Sequence, residues 1–227
     1  MRDKVVIVTG GFGVLGRAVG EAALAAGAYA ALIGHGQTDS IPAHDRLLTI
    51  GEVDLVDLAQ VQQAFETVAE RWGRINGLAN VAGGFRWQTL EGGDLAIWTE
   101  LFHKNLLTAA TAIKAALPHL RASGGAIVNV AAAPAENAKA GMEAYAASKA
   151  GVLRLTEGAA DEFKDAGVRV NAILPTIIDT PRNRSDMPKA DFARWVRPDQ
   201  IARTILFLLS EDASAITGAK ILLSGRT

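Results

Sequence analysis

The opening stretch of the chain, residues 4–27, constrains the fold more than any other part of the sequence. Residues 4–8 form a short apolar run rich in β-branched side chains, which is typical of a buried parallel strand. A glycine-rich turn, Thr9–Gly16, follows at once, and residues 17–26 then have the composition of a helix that ends at Gly27. This order of strand, glycine turn and helix predicts the first βα unit of a parallel α/β sheet.

The rest of the chain continues this alternation of strands and helices. Strand-like apolar runs are predicted at residues 4–8, 28–33, 47–53, 75–81, 125–131, 169–174 and 219–223. With 227 residues and 49% hydrophobic content, one α/β domain spanning residues 1–227 can bury a substantial core. The pattern predicts a single Rossmann-type, doubly wound domain, a seven-stranded parallel sheet with helices on both faces. The stretches predicted to be irregular are 34–46, 83–93 and 176–190.

The glycine turn has the spacing that dinucleotide-binding proteins use to hold a pyrophosphate. Gly11, Gly13 and Gly16 match the pattern G-x-G-x-x-G between a strand and a helix. Such glycines allow close backbone approach, and the N-terminus of the helix presents unpaired N–H groups to the anion. The turn therefore predicts a cofactor of the NAD or NADP type.

The end of the second predicted strand bears on the choice between NAD and NADP. An acidic residue at this place usually holds the ribose hydroxyls and favours NAD. Gly34 and His35 stand there instead. No clear arginine is present to bind a 2′-phosphate in place of the acid. Asp39, in the following loop, is an alternative carboxylate for the ribose. Because the carboxylate that would repel a 2′-phosphate is missing, we expect a slight preference for NADP, with NAD left open.

Tyr145 and Lys149 are the main candidates for catalysis. They stand four residues apart in Tyr-Ala-Ala-Ser-Lys, so on a helix both side chains project from one face. A phenol has a pKa of about 10, and a fixed ammonium one turn away favours the phenolate and lowers that pKa. The pair predicts a general acid/base that exchanges a proton with a carbonyl, alcohol or imine. The same spacing also occurs on ordinary exposed helix faces, and the upstream glycine turn is what favours catalysis.

Composition argues against several other classes of function. The formal net charge is −1 without runs of like charge, so nucleic acids and acidic membranes are not expected as partners. The sequence has no cysteine, which excludes disulfides and thiol catalysis, and its four histidines show no metal-ligand spacing. We therefore expect no metal site. No signal peptide or membrane span is predicted, so we expect a cytoplasmic protein. Its expected partner is a small-molecule substrate.

With the glycine turn and the Tyr145/Lys149 pair, the chain resembles the short-chain dehydrogenase/reductase family over nearly its full length. Asp54-Leu55 is similar to the position where that family contacts adenine. Asn80–Gly83 is similar to the family's turn after the fourth strand, with Val81 in place of the usual second asparagine. These matches imply the family's fold and its nicotinamide cofactor.

Two further segments carry the resemblance into the expected active site. Asp94–Asn105 is similar to the helix whose asparagine organises a proton-relay water, and Pro175–Thr180 to the segment that contacts the nicotinamide carboxamide, with Thr176 where glycine is typical. A substrate loop is expected at about residues 176–196. The implied catalytic residues are Tyr145, Lys149 and Asn105. The implied cofactor-binding residues are Gly10, Phe12, Gly13, Val14, Leu15, Gly16, Asp54, Leu55, Asn80, Ala82, Gly83, Tyr145, Lys149, Pro175, Ile178 and Thr180.

Two positions depart from the family pattern. Val14 stands where the family's turn has a glycine, and Gly13 precedes it. Ala132, at the end of the fifth predicted strand, stands where the family has its catalytic serine, and neither neighbour carries a hydroxyl. Loss of a hydrogen-bond donor to a developing oxyanion costs about 3–4 kcal/mol, or roughly a hundred- to a thousandfold in rate. An ordinary ketone reductase would be handicapped by this change.

Both departures resemble the dihydropteridine reductase branch of the family. That branch shares the Gly-Gly-x-Gly-x-Leu-Gly turn and an alanine in place of the serine. Val81–Gly84, Leu174–Trp195 and Gly225-Arg226-Thr227 are also similar to it, whereas it has an aspartate where Gly34 stands. The resemblance therefore predicts chemistry without the serine more strongly than it predicts a pterin substrate.

The leading hypothesis is hydride transfer between a nicotinamide and a flat, conjugated acceptor. Charge spreads over a conjugated ring instead of building on one oxyanion, which makes the missing hydroxyl tolerable. The residues expected to line the acceptor pocket are Phe85, Trp87 and Met187. Packing under a neighbouring helix explains Trp87 equally well. Two alternatives stay open: a carbonyl or 3-oxoacyl reductase that uses another donor, and a dinucleotide-binding sensor or scaffold without turnover.

Assembly is predicted from two helices. The predicted helices at residues 101–120 and 144–163 have apolar residues nearly all round. Their apolar surface is larger than one face of the sheet can cover. The surplus predicts a symmetric homodimer or homotetramer with these helices at its interface, which the family resemblance also implies.

Overall fold

The computed structural model describes residues 1–36 and 41–227. Parallel strands form a seven-stranded sheet in the order β3-β2-β1-β4-β5-β6-β7. The strands are β1 (Val5–Thr9), β2 (Tyr29–Ile33), β3 (Leu47–Ile50), β4 (Gly77–Asn80), β5 (Ala126–Val130), β6 (Arg169–Pro175) and β7 (Lys220–Leu223). Each predicted strand is present, and the predicted fold class is confirmed.

Helices cover both faces of the sheet. They are α1 (Val14–Ala25), α2 (Leu58–Trp72), α3 (Ala96–Leu101), α4 (Thr108–Ser123), α5 (Glu143–Phe163), α6 (Pro181–Asp186) and α7 (Pro198–Leu209). On one face α1 and α7 bury residues such as Val19 and Ile205. On the other face α2, α4 and α5 bury Phe65, Ala116 and Ala159. Strands covered on both sides need near-continuous apolar runs, which is why β1 is buried along its whole length.

Some boundaries differ from the sequence prediction. β3 ends at Ile50 instead of residue 53, because Glu52 adopts a positive φ of 58° and turns the chain so that the Val53 N–H donates to the Gly34 carbonyl at 3.1 Å. The helix predicted from residue 17 already begins at Val14, inside the glycine turn.

Two helical regions differ more substantially from the prediction. The continuous helix predicted at residues 101–120 is interrupted by a π-helical segment, Phe102–Leu107, which contains Asn105. Local π geometry of this kind is frequent at functional sites. Helix α6 lies inside the stretch predicted to be irregular. The Thr180 hydroxyl accepts from the Asn183 N–H at 3.2 Å and Pro181 takes the first helical position, a start signal that the sequence prediction missed.

Strand order determines where a ligand can bind. From β1 the chain builds the sheet outward through β2 and β3, and then returns to place β4 on the other side of β1. The turns that leave β1 and β4 therefore diverge at the carboxyl ends of these strands, where open α/β sheets bind ligands. The two turns are in close contact. Gly10 has a φ of +65°, and a Cβ atom there would lie 2.7 Å from the Ala82 Cα.

Candidate active site

A cleft of about 500 Å³ opens at this edge of the sheet. Predicted cofactor residues that line it are Gly10, Phe12, Gly13, Val14, Leu15, Gly16, Ala82, Gly83 and Thr180. Gly34 and His35 line it at the end of β2, and Asp39 lies outside the described residues. Gly36, Val81 and Arg182 also contribute. The sequence prediction missed these three, and Arg182 reaches the cleft only because α6 folds beside it.

The turn after β1 fits the pyrophosphate of a dinucleotide. Gly13 caps α1 without a side-chain hydrogen bond, and the first helical turn has no acidic residue, so its N–H groups are available to an anion. A Cβ atom at Gly16 would overlap the Gly10 carbonyl oxygen, so a side chain is excluded there. At Gly13 the nearest atom to a Cβ would be that same oxygen, at 3.5 Å, which leaves open space in front of the helix. Val14, in place of the family's glycine, is 46% exposed in the cleft.

Other predicted cofactor residues lie outside this lining: Asp54, Leu55, Asn80, Pro175 and Ile178. Asn80 is buried in the sheet, where its Oδ1 accepts from the Thr9 hydroxyl at 3.3 Å and its Nδ2 donates to Asn129 Oδ1 at 2.9 Å. Asp54 accepts from the Val56 N–H at 2.9 Å and shapes a turn. The observed contacts of both are structural, and their cofactor roles stay predictions.

The predicted catalytic residues converge near the carboxyl ends of β4 and β5. Lys149 Nζ, on α5, donates to the Val130 carbonyl at 2.7 Å. A Cβ atom at Gly83 would lie 3.1 Å from Lys149 Nζ and 2.7 Å from Asn105 Oδ1, so both side chains reach the turn after β4. Asn105 Oδ1 accepts from the Gly84 N–H at 2.8 Å, and its Nδ2 donates to the Gly84 carbonyl at 3.1 Å. The asparagine therefore fixes the start of the 83–93 loop.

Burial determines the protonation of Tyr145 and Lys149. It raises the pKa of the Tyr145 phenol to about 12 and lowers the pKa of the Lys149 ammonium to about 8. The expected lowering of the Tyr145 pKa is not seen in this structure, because desolvation by burial raises that pKa. Tyr145 is consequently protonated at neutral pH, which is the form that donates a proton.

Ala132 is buried two residues beyond the end of β5, with an extended backbone. A buried hydroxyl beside the predicted catalytic residues belongs to Ser148 on α5. Its Oγ donates to the Tyr145 carbonyl at 2.8 Å and accepts from Asn105 Nδ2 at 2.9 Å. Ser148 is therefore engaged in holding the site together and does not replace the missing serine.

Two of the predicted substrate residues lie beside α5 or the loop before it. The Phe85 ring packs edge-on against Tyr145, with the ring centroids 4.9 Å apart and an interplanar angle of 88°. The Trp87 ring packs directly on Gly141, where a Cβ atom would overlap it, so Trp87 contacts the loop before α5 and is still 61% exposed. Met187 is half-buried at the end of α6, and its substrate role stays a prediction.

Residues 1–36 and 41–227 contain neither a membrane span nor a group of metal ligands. No helix in these ranges is long and apolar enough to cross a membrane. Within the same ranges, no three histidine, cysteine, aspartate or glutamate side chains are grouped to hold a metal ion.

Comparison with known proteins assigns the family. A family model described as enoyl-(acyl carrier protein) reductase matches residues 13–225. D-threitol dehydrogenase of Mycolicibacterium smegmatis is 34% identical, over 98% of this chain and 92% of its own length. The 3-oxoacyl-[acyl-carrier-protein] reductase of Thermotoga maritima is 30% identical, over 99% of this chain and 98% of its own length. The structure of ElxO with NADP bound has a TM-score of 0.89 and 25% identity, covering 98% of both chains. The chain therefore belongs to the short-chain dehydrogenase/reductase family and is an NAD(P)-dependent oxidoreductase.

Proposed function

We propose that this oxidoreductase transfers a hydride between a nicotinamide and a small, flat, conjugated acceptor, as in dihydropteridine reductase. The observation that carries the proposal is the buried methyl group of Ala132 at the position of the family's serine. Ser148 does not compensate, because its hydroxyl is already bonded to Tyr145 and Asn105. A site without that donor favours an acceptor in which no single oxygen has to carry the developing charge.

The reduction needs one hydride and one proton. A nicotinamide held in the cleft would supply the hydride. The Tyr145 hydroxyl, protonated at neutral pH, would supply the proton to a heteroatom of the acceptor. The Lys149 ammonium would stabilise the phenolate that remains and hold the nicotinamide ribose. Asn105, bonded to the turn after β4 and to Ser148, would hold the substrate side of the site and support a proton relay to solvent. Phe85, packed on Tyr145, offers an apolar ring to a flat acceptor.

NADP is the favoured cofactor in this proposal. Gly34 at the end of β2 presents no carboxylate to a 2′-phosphate, and Arg182 also lines the cleft. ElxO, which has the same fold, has been solved with NADP bound. A clear preference for NADH in a binding titration would contradict this choice.

A carbonyl or alcohol substrate is the second candidate. It is supported by the names of the relatives, which are a sugar-alcohol dehydrogenase and a 3-oxoacyl reductase. Because these relatives are enzymes, they also favour catalysis over a binding protein without turnover.

Ala132→Ser separates the two candidates. For a conjugated acceptor, the new hydroxyl finds no localised oxyanion, and kcat/KM should stay level or fall. For a native ketone substrate, kcat/KM should rise by roughly ten- to a thousandfold. The assay follows oxidation of NADPH and NADH with quinonoid dihydropterin and with several ketones.

Two further variants control this experiment. Ala133→Ser introduces the same group one residue later, at the start of the short helical turn 133–135, and should change neither activity. Tyr145→Phe should remove turnover on every substrate and retain cofactor binding. A large gain for Ala132→Ser on the best native substrate would overturn the conjugated-acceptor proposal.

A further inference from the structure

The loop formed by residues 176–196 is one wall of the cofactor cleft. It leaves the end of β6, places Thr180 and Arg182 in the cleft lining, and returns to the start of α7. Its stem is closed by parallel pairing of Ile178 with Val196. The Val196 N–H donates to the Ile177 carbonyl at 3.0 Å, and the Asp179 N–H donates to the Val196 carbonyl at 2.9 Å.

The interior of this loop is cross-linked by side chains. The Arg184 guanidinium donates to both carboxylate oxygens of Asp179, at 2.6 and 2.8 Å. The same guanidinium lies over the Phe192 ring at 4.9 Å, and Phe192 packs on the buried Trp195 with ring centroids 4.8 Å apart. The loop is therefore folded around its own charged and aromatic core.

Residues 224–227, called the strap here, hold the first end of the loop. The Thr176 hydroxyl donates to the Ser224 carbonyl at 3.0 Å, and the Thr227 hydroxyl donates to Thr176 Oγ1 at 2.7 Å. These bonds need the side chain of Thr176, the residue that stands where the family pattern has glycine. The threonine at this position is thus held by hydrogen bonds to the strap.

The strap also holds the second end of the loop. The Arg226 N–H donates to the Arg194 carbonyl at 2.9 Å, and Arg194 Nε donates back to the Arg226 carbonyl at 2.7 Å. Arg226 Nη2 donates to the Ala193 carbonyl at 2.9 Å. Gly225 allows this approach. Its φ is +59°, and a Cβ atom there would lie 2.6 Å from the Arg194 carbonyl oxygen.

We infer that the strap clamps both ends of the loop and keeps this wall of the cleft folded before any ligand binds, with Thr176 and Thr227 as positioning residues. A clamp across both ends prevents the stem from separating, so the loop opens only when the strap detaches. The effect on catalysis rests on the proposed function, since it assumes that the loop borders the acceptor. The clamp itself does not depend on that assumption.

Trypsin tests the clamp without any substrate. The loop offers cleavage sites at Arg182, Arg184, Lys189 and Arg194, which are cut when the loop opens. Thr227→Val removes the hydroxyl and keeps the shape, and Gly225→Ala pushes a methyl group toward the Arg194 carbonyl. Both variants should be cut in the loop about tenfold faster than the unchanged protein, with fragments assigned by mass.

Matched variants keep the result interpretable. Thr227→Ser restores the hydroxyl and should return the cleavage rate to normal. Thr67→Val removes an exposed threonine hydroxyl that bonds only within α2, and it should have no effect. Thermal unfolding of each variant shows whether the fold is intact. Unchanged loop cleavage in both Thr227→Val and Gly225→Ala would overturn the inference.

Kinetics tests the positioning role. Thr227→Val should raise the KM of the acceptor about tenfold and leave kcat within about twofold, with recovery in Thr227→Ser. Saturating NADPH should slow loop cleavage in Thr227→Val, because Thr180 and Arg182 border the cofactor. Faster cleavage with an unchanged KM would support the clamp and overturn the positioning role.

Discussion

Lys149 is 4% exposed and its Nζ donates to the Val130 carbonyl at 2.7 Å. A charged ammonium at such a place loses its hydration, and a single carbonyl partner replaces only part of it. The shift of the lysine pKa from 10.5 to about 8 corresponds to roughly 3 kcal/mol against the charged form. The side chain thus destabilises the fold at neutral pH, a cost that proteins accept at functional sites.

Lys149→Met should therefore stabilise the protein at neutral pH while abolishing turnover. We expect a gain of about 1–3 kcal/mol in the free energy of unfolding, because the Val130 carbonyl loses its partner at the same time. Below about pH 8 the lysine is charged in both states and the full cost applies. Between about pH 8 and 10.5 only the unfolded chain keeps the proton, so the stability of the unchanged protein rises and the gain shrinks.

Urea unfolding over this pH range measures that gain. Lys139→Met in the loop before α5 is the control, since it removes an ammonium that is already exposed to water. A gain that stays constant from neutrality to about pH 10.5 would show that burial of the charge is not its cause.

At the scale of elements, we expect the carboxyl end of β2 to decide whether NAD or NADP fits. Phe12, from the turn after β1, lies against Gly34 and Gly36. A Cβ atom at Gly34 would be 3.6 Å from Phe12 Cδ2, an ordinary contact, whereas one at Gly36 would be at 3.2 Å and crowded. A carboxylate can therefore be introduced at Gly34 without displacing the turn.

We expect NADPH to bind at least as tightly as NADH, and Gly34→Asp to shift selectivity toward NADH. The new carboxylate would repel a 2′-phosphate and can accept hydrogen bonds from the ribose hydroxyls instead. Titration by cofactor fluorescence gives both affinities. Gln62→Asp adds the same charge at an exposed position on α2 and should leave the ratio unchanged. Tighter NADPH binding by Gly34→Asp would contradict the assignment of this strand end to the ribose.

At the scale of the molecule, the π-helical segment leaves a large apolar side chain uncovered. Phe102 is 49% exposed, while Leu106 packs so closely on Gly151 that a Cβ atom there would lie 2.6 Å from it. The segment and α5 are thus packed as one unit whose outer side carries an exposed aromatic ring. Covering such a surface in a symmetric assembly is the usual way to remove it from water.

We expect a homodimer or homotetramer with α4, α5 and the π-helical segment at the interface. Light scattering at micromolar concentration should give a multiple of the 23.8 kDa chain mass. Phe102→Lys should lower the measured mass of the assembly, because it places a charge in the interface. Leu90→Lys changes an apolar residue that is 63% exposed in the 83–93 loop and should leave the mass unchanged. A monomer mass for the unchanged protein would refute this assembly.

Much of the fold follows from short-range patterns that the sequence carries by itself. The alternation of apolar runs and helices determined the α/β class, because each buried strand must be apolar along its length. The glycine turn at Thr9–Gly16 determined the cofactor type, and the four-residue spacing of Tyr145 and Lys149 placed both on one helix. Thr180-Pro181 is an equally local signal for the start of α6. The sequence prediction missed it, although an N-cap threonine followed by proline is typical of a helix start.

The tertiary structure decided what depends on residues distant in sequence. The depth of burial of Tyr145 and Lys149, which reverses the expected direction of the phenol pKa, comes from the strand ends and loops packed around α5. The bond between Thr176 and Thr227 joins residues that only strand pairing of β6 with β7 brings together. Sequence spacing cannot report desolvation or contacts between distant segments, because both arise only when the chain packs on itself.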